Sequence, residues 1–149
     1  MTDSDVSFYQ EVMDKLRSEV KTFRTVLRLE HPDEQFPVAA ESLEDGAESA
    51  KGPMDYDLVQ VETVQFQINE QRILVQNDTR EAPHPPQEML DVENVGAQML
   101  SPIFVGDNVV GIVAVHHYGP ARTWTGEEVS WIAWATDQVR RRKYLRGEA

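Results

Sequence analysis

The 149-residue chain contains no cysteine. That absence removes disulfides, thiol catalysis, iron–sulfur clusters, cysteine-rich zinc sites and any chromophore held through a thioether. Basic residues are scarce: 14 Lys and Arg stand against 26 Asp and Glu, a net charge of -12. Such a surface repels nucleic acid and anionic membranes at long range, so neither is expected as a partner. The one basic cluster, Arg140-Arg141-Arg142-Lys143, reads as cations that complement a helix C-terminus. Apolar runs are short, and none nears the ~20 residues that cross a bilayer. The opening MTDSDVSFYQ is too acidic and polar for a signal peptide, and a cytoplasmic location is the expectation. Catalytic motifs are missing as well. There is no Gly-x-Ser-x-Gly elbow, and Gly106 to Gly111 lacks the Lys-Ser/Thr of a phosphate loop. No carboxylate pair stands out for acid–base work.

What is present reads as a single domain over residues 1–149, with the 40% hydrophobic content of a globular chain. Val6, Tyr9, Met13, Leu16 and Val20 recur at helical spacing, which predicts a helix over 5–21. Ser7 with Gln10 is a candidate capping box, and Ser4 an alternative start. Alternation predicts strands at 22–30 and 36–43, joined by the turn His31-Pro32-Asp33-Glu34. Residues 44–57 read as a mobile surface loop. A short helix at 61–71, a strand at 73–76, a turn at 82–86 and a short helix at 87–94 follow. Alternating strands at 98–105 and 109–117 flank Gly106-Asp107-Asn108, the signature of a β-hairpin.

After the break at Gly119-Pro120, a helix is expected over 126–145, with Thr125 and Glu128 forming a capping box. At 100° per residue, Val129, Ile132, Ala133, Thr136 and Val139 make one apolar band, and Trp131, Trp134 and Leu145 lie roughly opposite. Leaving two tryptophans in water forgoes several kcal/mol of burial. Either helix 5–21 covers them within one chain, or a second copy does. The added apolar residues Phe8 and Val12 on the first helix favour a homodimer built as a two-fold helical bundle.

The order of elements resembles the GAF domain family across nearly the whole chain. The resemblance rests on Pro102-Ile103-Phe104-Val105-Gly106 through Gly111-Ile112-Val113-Ala114-Val115-His116-His117, and on Pro120-Ala121-Arg122-Thr123-Trp124-Thr125-x-x-Glu128. It implies an α/β (α+β) fold with a central antiparallel sheet of about five to six strands. The terminal helices would cover one face. Short helices and loops would cover a ligand pocket on the other. The doublet His116-His117 before Gly-Pro-x-Arg is most like the bilin-binding phytochromes and cyanobacteriochromes. In that branch the Cys-His attachment pair would fall at Pro85-Pro86, so a covalent bilin cofactor is excluded. Free methionine sulfoxide reduction, an activity of some GAF proteins, also needs thiols. The Asn-Lys…Phe…Asp-Glu signature of cyclic-nucleotide binders is absent.

Adjacent strand residues point to opposite faces, so His116 and His117 cannot easily share a metal, and no metal site is expected. By the same alternation His116 joins Ile112 and Ala114 on one face, which in the resembling family lines the pocket. His116 as a hydrogen-bonded core or rim residue is the plain alternative. Val64 and Leu90 from the short helices would complete the lining. Asp78, just past strand 73–76, is either a polar pocket group or a simple Asx turn. The functional expectation is a sensor or regulatory domain for an unidentified small molecule, with output through a signalling partner such as a kinase or cyclase. A structural dimerisation module with a vestigial pocket is the alternative.

Overall fold

In the computed structural model, which describes residues 1–47, 49–51, 72–80 and 95–145, the first helix, α1 (Asp3–Val20), is capped by Thr2 and not by Ser7. The Thr2 hydroxyl accepts from the Asp5 N–H at 3.1 Å, and the Asp5 carboxylate accepts from the Thr2 N–H at 3.0 Å. Aspartate fills the reciprocal position as glutamate would, which moves the start upstream and leaves Ser7 and Gln10 inside the helix. Lys21 ends α1 in the left-handed region at φ 58°. A residue with a β-carbon is rarely found there.

The strands are β1 (Arg24–Leu29), β2 (Val38–Leu43), β3 (Leu74–Gln76), β4 (Val95–Val105) and β5 (Asn108–Tyr118). They form one antiparallel sheet in the order β2-β1-β5-β4-β3. β4 and β5 are the hairpin expected from sequence. Its turn is two residues, Gly106-Asp107, with Gly106 at φ 61°, a conformation that favours glycine at the first turn position. The hairpin runs longer than expected, because β4 continues back to Val95 through a register shift between Val95 and Ala97. The expected helices 61–71 and 87–94, the turn at 82–86 and much of the loop 44–57 lie outside the described residues.

The second helix, α2 (Gly126–Arg140), has the capping box read from sequence. Thr125 N–H donates to Glu128 Oε1 at 2.9 Å, and Glu128 N–H to Thr125 Oγ1 at 3.2 Å. Residues expected to extend it form a π-helical turn, Arg141–Leu145. α1 and α2 pack together on one face of the sheet. Tyr9, Val12, Met13, Leu16 and Val20 of α1 meet Leu27, Met99, Ile103, Val113 and Val115 of the sheet and Ile132, Ala135 and Val139 of α2. The expected band on α2 is rotated: Ala133 is exposed and Ala135 is fully buried. Trp131 and Trp134 are half-buried against the same core, and their side of the helix turns toward α1. Lys15 of α1 reaches over the Trp131 ring at 5.5 Å.

Candidate functional site

The sheet face away from α1 and α2 carries three rows of cross-strand neighbours. Register places Arg28, Ile112 and Pro102 in one row, and Val26, Ala114, Leu100 and Leu74 in the next. The third row is polar: Arg24 of β1, His116 of β5, Gln98 of β4 and Gln76 of β3 lie directly opposite one another across four strands. All four are buried. Buried polar groups in the middle of a sheet are costly unless each finds a partner.

The row supplies some of those partners itself. Arg24 Nε–H donates to His116 Nδ1 at 2.9 Å, and Gln98 Nε2 donates to Gln76 Oε1 at 2.8 Å. Burial, then the nearby guanidiniums of Arg24 and Arg28, hold the His116 pKa well below 6.5. The ring is therefore neutral at pH 7. Because Nδ1 accepts from Arg24, the ring proton sits on Nε2. That Nε2–H and the neighbouring Gln98 Oε1 are buried with no hydrogen-bond partner among the described residues. The row thus offers one donor and one acceptor from neighbouring strands, each left unsatisfied at about 1–3 kcal/mol.

Beside the row lies an apolar floor of Val26, Leu74, Leu100, Ile112 and Ala114, with Phe36, Val38 and Ala50 packed against it. Arg28 holds this end together by donating to the carbonyls of Phe36 at 3.0 Å and Ala50 at 3.2 Å. The Glu41 carboxylate accepts from the Ala50 N–H at 2.8 Å and from the Ser49 hydroxyl. The face therefore combines a polar end, an apolar middle and two arginines. Among the described residues no group of His, Asp and Glu could hold a metal ion.

His116, Ala114 and Ile112 sit together on this face, as strand alternation required. Val64 and Leu90 lie outside the described residues. Asp78 does not join the row: its Oδ1 accepts from the Arg80 N–H at 3.1 Å, which is an Asx turn. Arg24, Gln76 and Gln98 escaped the sequence reading. Their only local signal is a polar residue in phase with buried apolar ones, as Gln98 with Leu100 two positions on. Of the residues expected at a dimer interface, Val12 is buried in the chain's own core, and Phe8, Trp131 and Trp134 are half-buried against it. Leu145 ends the π-helical turn. His117 faces the other side, its ring tilted 56° against that of Phe23 with centroids 4.8 Å apart.

The depressed His116 pKa sets a sign for pH dependence. The unfolded imidazole titrates near 6.5 and takes up a proton there, while the folded ring does not. Stability is full above pH 6.5 and falls as the pH drops below it, by up to about 1.4 kcal/mol per pH unit for one proton. His117, lowered by burial and by Arg122, adds in the same direction. Urea denaturation between pH 7.5 and 5.5 should show this slope. His116→Asn, which keeps an acceptor for Arg24, should remove the larger part of it.

The GAF domain family model matches residues 6–141. No curated protein matches this sequence closely enough to count as a relative. Solved structures similar to the chain include the PixJ GAF domain of Thermosynechococcus elongatus in its blue-light-absorbing form. That match has 18% identity and a TM-score of 0.73, over 97% of this chain and 90% of that one. A phycoerythrobilin-bound GAF domain from a cyanobacterial phytochrome matches with 18% identity and a TM-score of 0.75, over 93% and 84%. The chromophore-binding domain of a bacteriophytochrome from R. palustris matches with 12% identity and a TM-score of 0.77, over 97% of this chain and 57% of that one.

Proposed function

Since the chain belongs to the GAF domain family, we propose that it is a sensory domain that holds a small molecule against the polar row and apolar floor of its sheet. The observation that carries this reading is the pair of buried, unpartnered atoms, His116 Nε2 and Gln98 Oε1. A ligand with an acceptor beside a donor, as in a carboxamide, a lactam or the edge of a nitrogen heterocycle, satisfies both. Its apolar body would rest on Val26, Ala114 and Leu100. Arg24 and Arg28 favour an electron-rich or anionic ligand on this face despite the chain's net charge of -12. A bilin joined by a thioether does not fit, because the donor set has no sulfur nucleophile.

The test is to purify the protein from its native host, denature it and identify released small molecules by mass spectrometry. A molecule with such an edge, recovered in near-stoichiometric amount from the parent and lost from His116→Leu/Gln98→Leu, supports the reading. A parent protein that releases nothing, and whose crystal structure shows only water between the two atoms, overturns it.

Output in this reading runs through the α1–α2 layer, by homodimerisation and a signalling partner such as a kinase or cyclase. Support comes from the half-buried edge-to-face pair Trp131 and Trp134, with centroids 5.4 Å apart, at the outer seam of the two helices. Trp131→Glu with Trp134→Glu should convert a dimer into a folded monomer, seen by sedimentation at micromolar concentration. A parent chain that sediments as a monomer refutes the dimer. A double variant that unfolds shows that these rings serve the core alone.

A further inference from the structure

We propose that the corner between α1 and β1, Lys21-Thr22, is the joint that ties the state of the polar row to the pose of the helix layer. Two main-chain connections run from the row to this corner. On one side the buried Thr22 hydroxyl donates to the backbone carbonyl of His116 at 2.6 Å. On the other the Trp124 indole N–H donates to the backbone carbonyl of Gln76 at 3.1 Å, and the Arg122 guanidinium lies 4.6 Å above the Trp124 ring. Arg122 then donates to the Lys21 and Val20 carbonyls, at 3.0 and 2.5 Å. Its pair with Glu128 at 2.5 Å reaches the cap of α2. One guanidinium thus holds the C-terminal end of α1 and the N-terminal end of α2 together, and rests on a ring hydrogen-bonded to the outer strand of the row.

A coupling joint needs an element with two arrangements, not merely a chain of contacts. Lys21 supplies it. Its φ of 58° is disfavoured for a residue with a β-carbon; it is held by the cap bond from the Lys21 N–H to the Arg17 carbonyl at 2.7 Å and by the two carbonyl bonds from Arg122. Loosening either connection lets Lys21 return to the right-handed region, which redirects the chain between α1 and β1. Backbone held in a sparsely populated region at the meeting point of two connections is where a small shift is converted into a discrete one. This inference goes beyond ligand binding and stands whether or not the proposed ligand exists, because the row can be perturbed by substitution alone.

The test is amide hydrogen exchange of the full chain, read by NMR at Ser18 to Thr22 and at Val129, with Ile103 and Phe104 as reference amides near the hairpin turn. His116→Asn, which keeps an acceptor for Arg24, and, separately, Gln98→Met, which keeps the side chain's shape, alter the row. Each should change exchange at the corner by about five-fold or more relative to the reference amides. In a Lys21→Gly background, where positive φ carries no penalty, the same row substitutions should change it by less than about two-fold. Equal changes with and without Lys21→Gly overturn the proposal, as does an unchanged corner in both row variants. Should His116→Asn fail to fold, Gln98→Met decides the matter, since replacing its amide by an apolar chain of similar shape also removes the unpartnered carbonyl.

Discussion

Gly96→Ala is expected to cost about 4 kcal/mol or more and to leave the domain largely unfolded. A β-carbon at Gly96 would lie 2.1 Å from the Gly119 carbonyl oxygen and 2.6 Å from that of Pro120. Both are backbone atoms, so no side chain can rotate away. Nor can the 119–120 segment retreat freely. Arg80 donates to the Gly119 carbonyl at 3.0 Å. Further along, Asn77 accepts the N–H groups of Arg122 and Trp124, at 2.9 and 3.0 Å. Gly96 is itself fixed, because its carbonyl accepts from the Thr79 N–H at 2.9 Å and it sits at the register shift of β4. Gly126→Ala is the matched control. Nothing lies within 4 Å of the added atom there, and the loss of unfolded-chain freedom should leave stability unchanged or raised by up to about 1 kcal/mol. Urea midpoints of the two variants check both outcomes. A Gly96→Ala protein within about 1 kcal/mol of the parent would mean the loop does not press on β4.

Ala135→Glu should be nearly as severe, whereas Ala133→Glu should be silent. Ala135 is fully buried among Ile132, Val139 and the sheet. A carboxylate there loses its hydration and meets no partner, a cost of about 4 kcal/mol or more. Ala133, two positions earlier, is exposed, and a charge there should change stability by no more than about 0.5 kcal/mol. Thermal melting of the two variants distinguishes the observed rotation of α2 from the one its apolar periodicity suggests, in which Ala133 faces inward. The rotation follows from the tryptophans. Periodicity placed Trp131 and Trp134 opposite the core, but both rings pack half-buried against it, Trp131 beneath Lys15 of α1, and the buried stripe shifts with them.

The readable parts of this molecule are those fixed within a few residues. The Thr125–Glu128 cap spans four residues, and the hairpin turn at Gly106-Asp107 two. The alternation that sends His116, Ala114 and Ile112 to one face needs only the pleat of a single strand. The first cap was misplaced because Ser7 and Gln10 offered a second pattern of the same kind. Nothing local separates it from Thr2 and Asp5, and the structure spends Gln10 elsewhere, on the Glu41 carbonyl at 2.7 Å.

The polar row belongs to the other class. Arg24 and His116 are 92 residues apart, and Gln76 and Gln98 are 22 apart. Each reads alone as a polar residue in a strand. By itself the sequence determined the absence of thiol chemistry, the pattern of elements and the face on which His116 stands, since composition, capping and pleat act through the covalent chain. Only the tertiary structure decided which side chains stand opposite His116, which way α2 turns and where Arg122 reaches. Strand register and helix rotation are set by packing between segments far apart in sequence, where no single stretch carries the information.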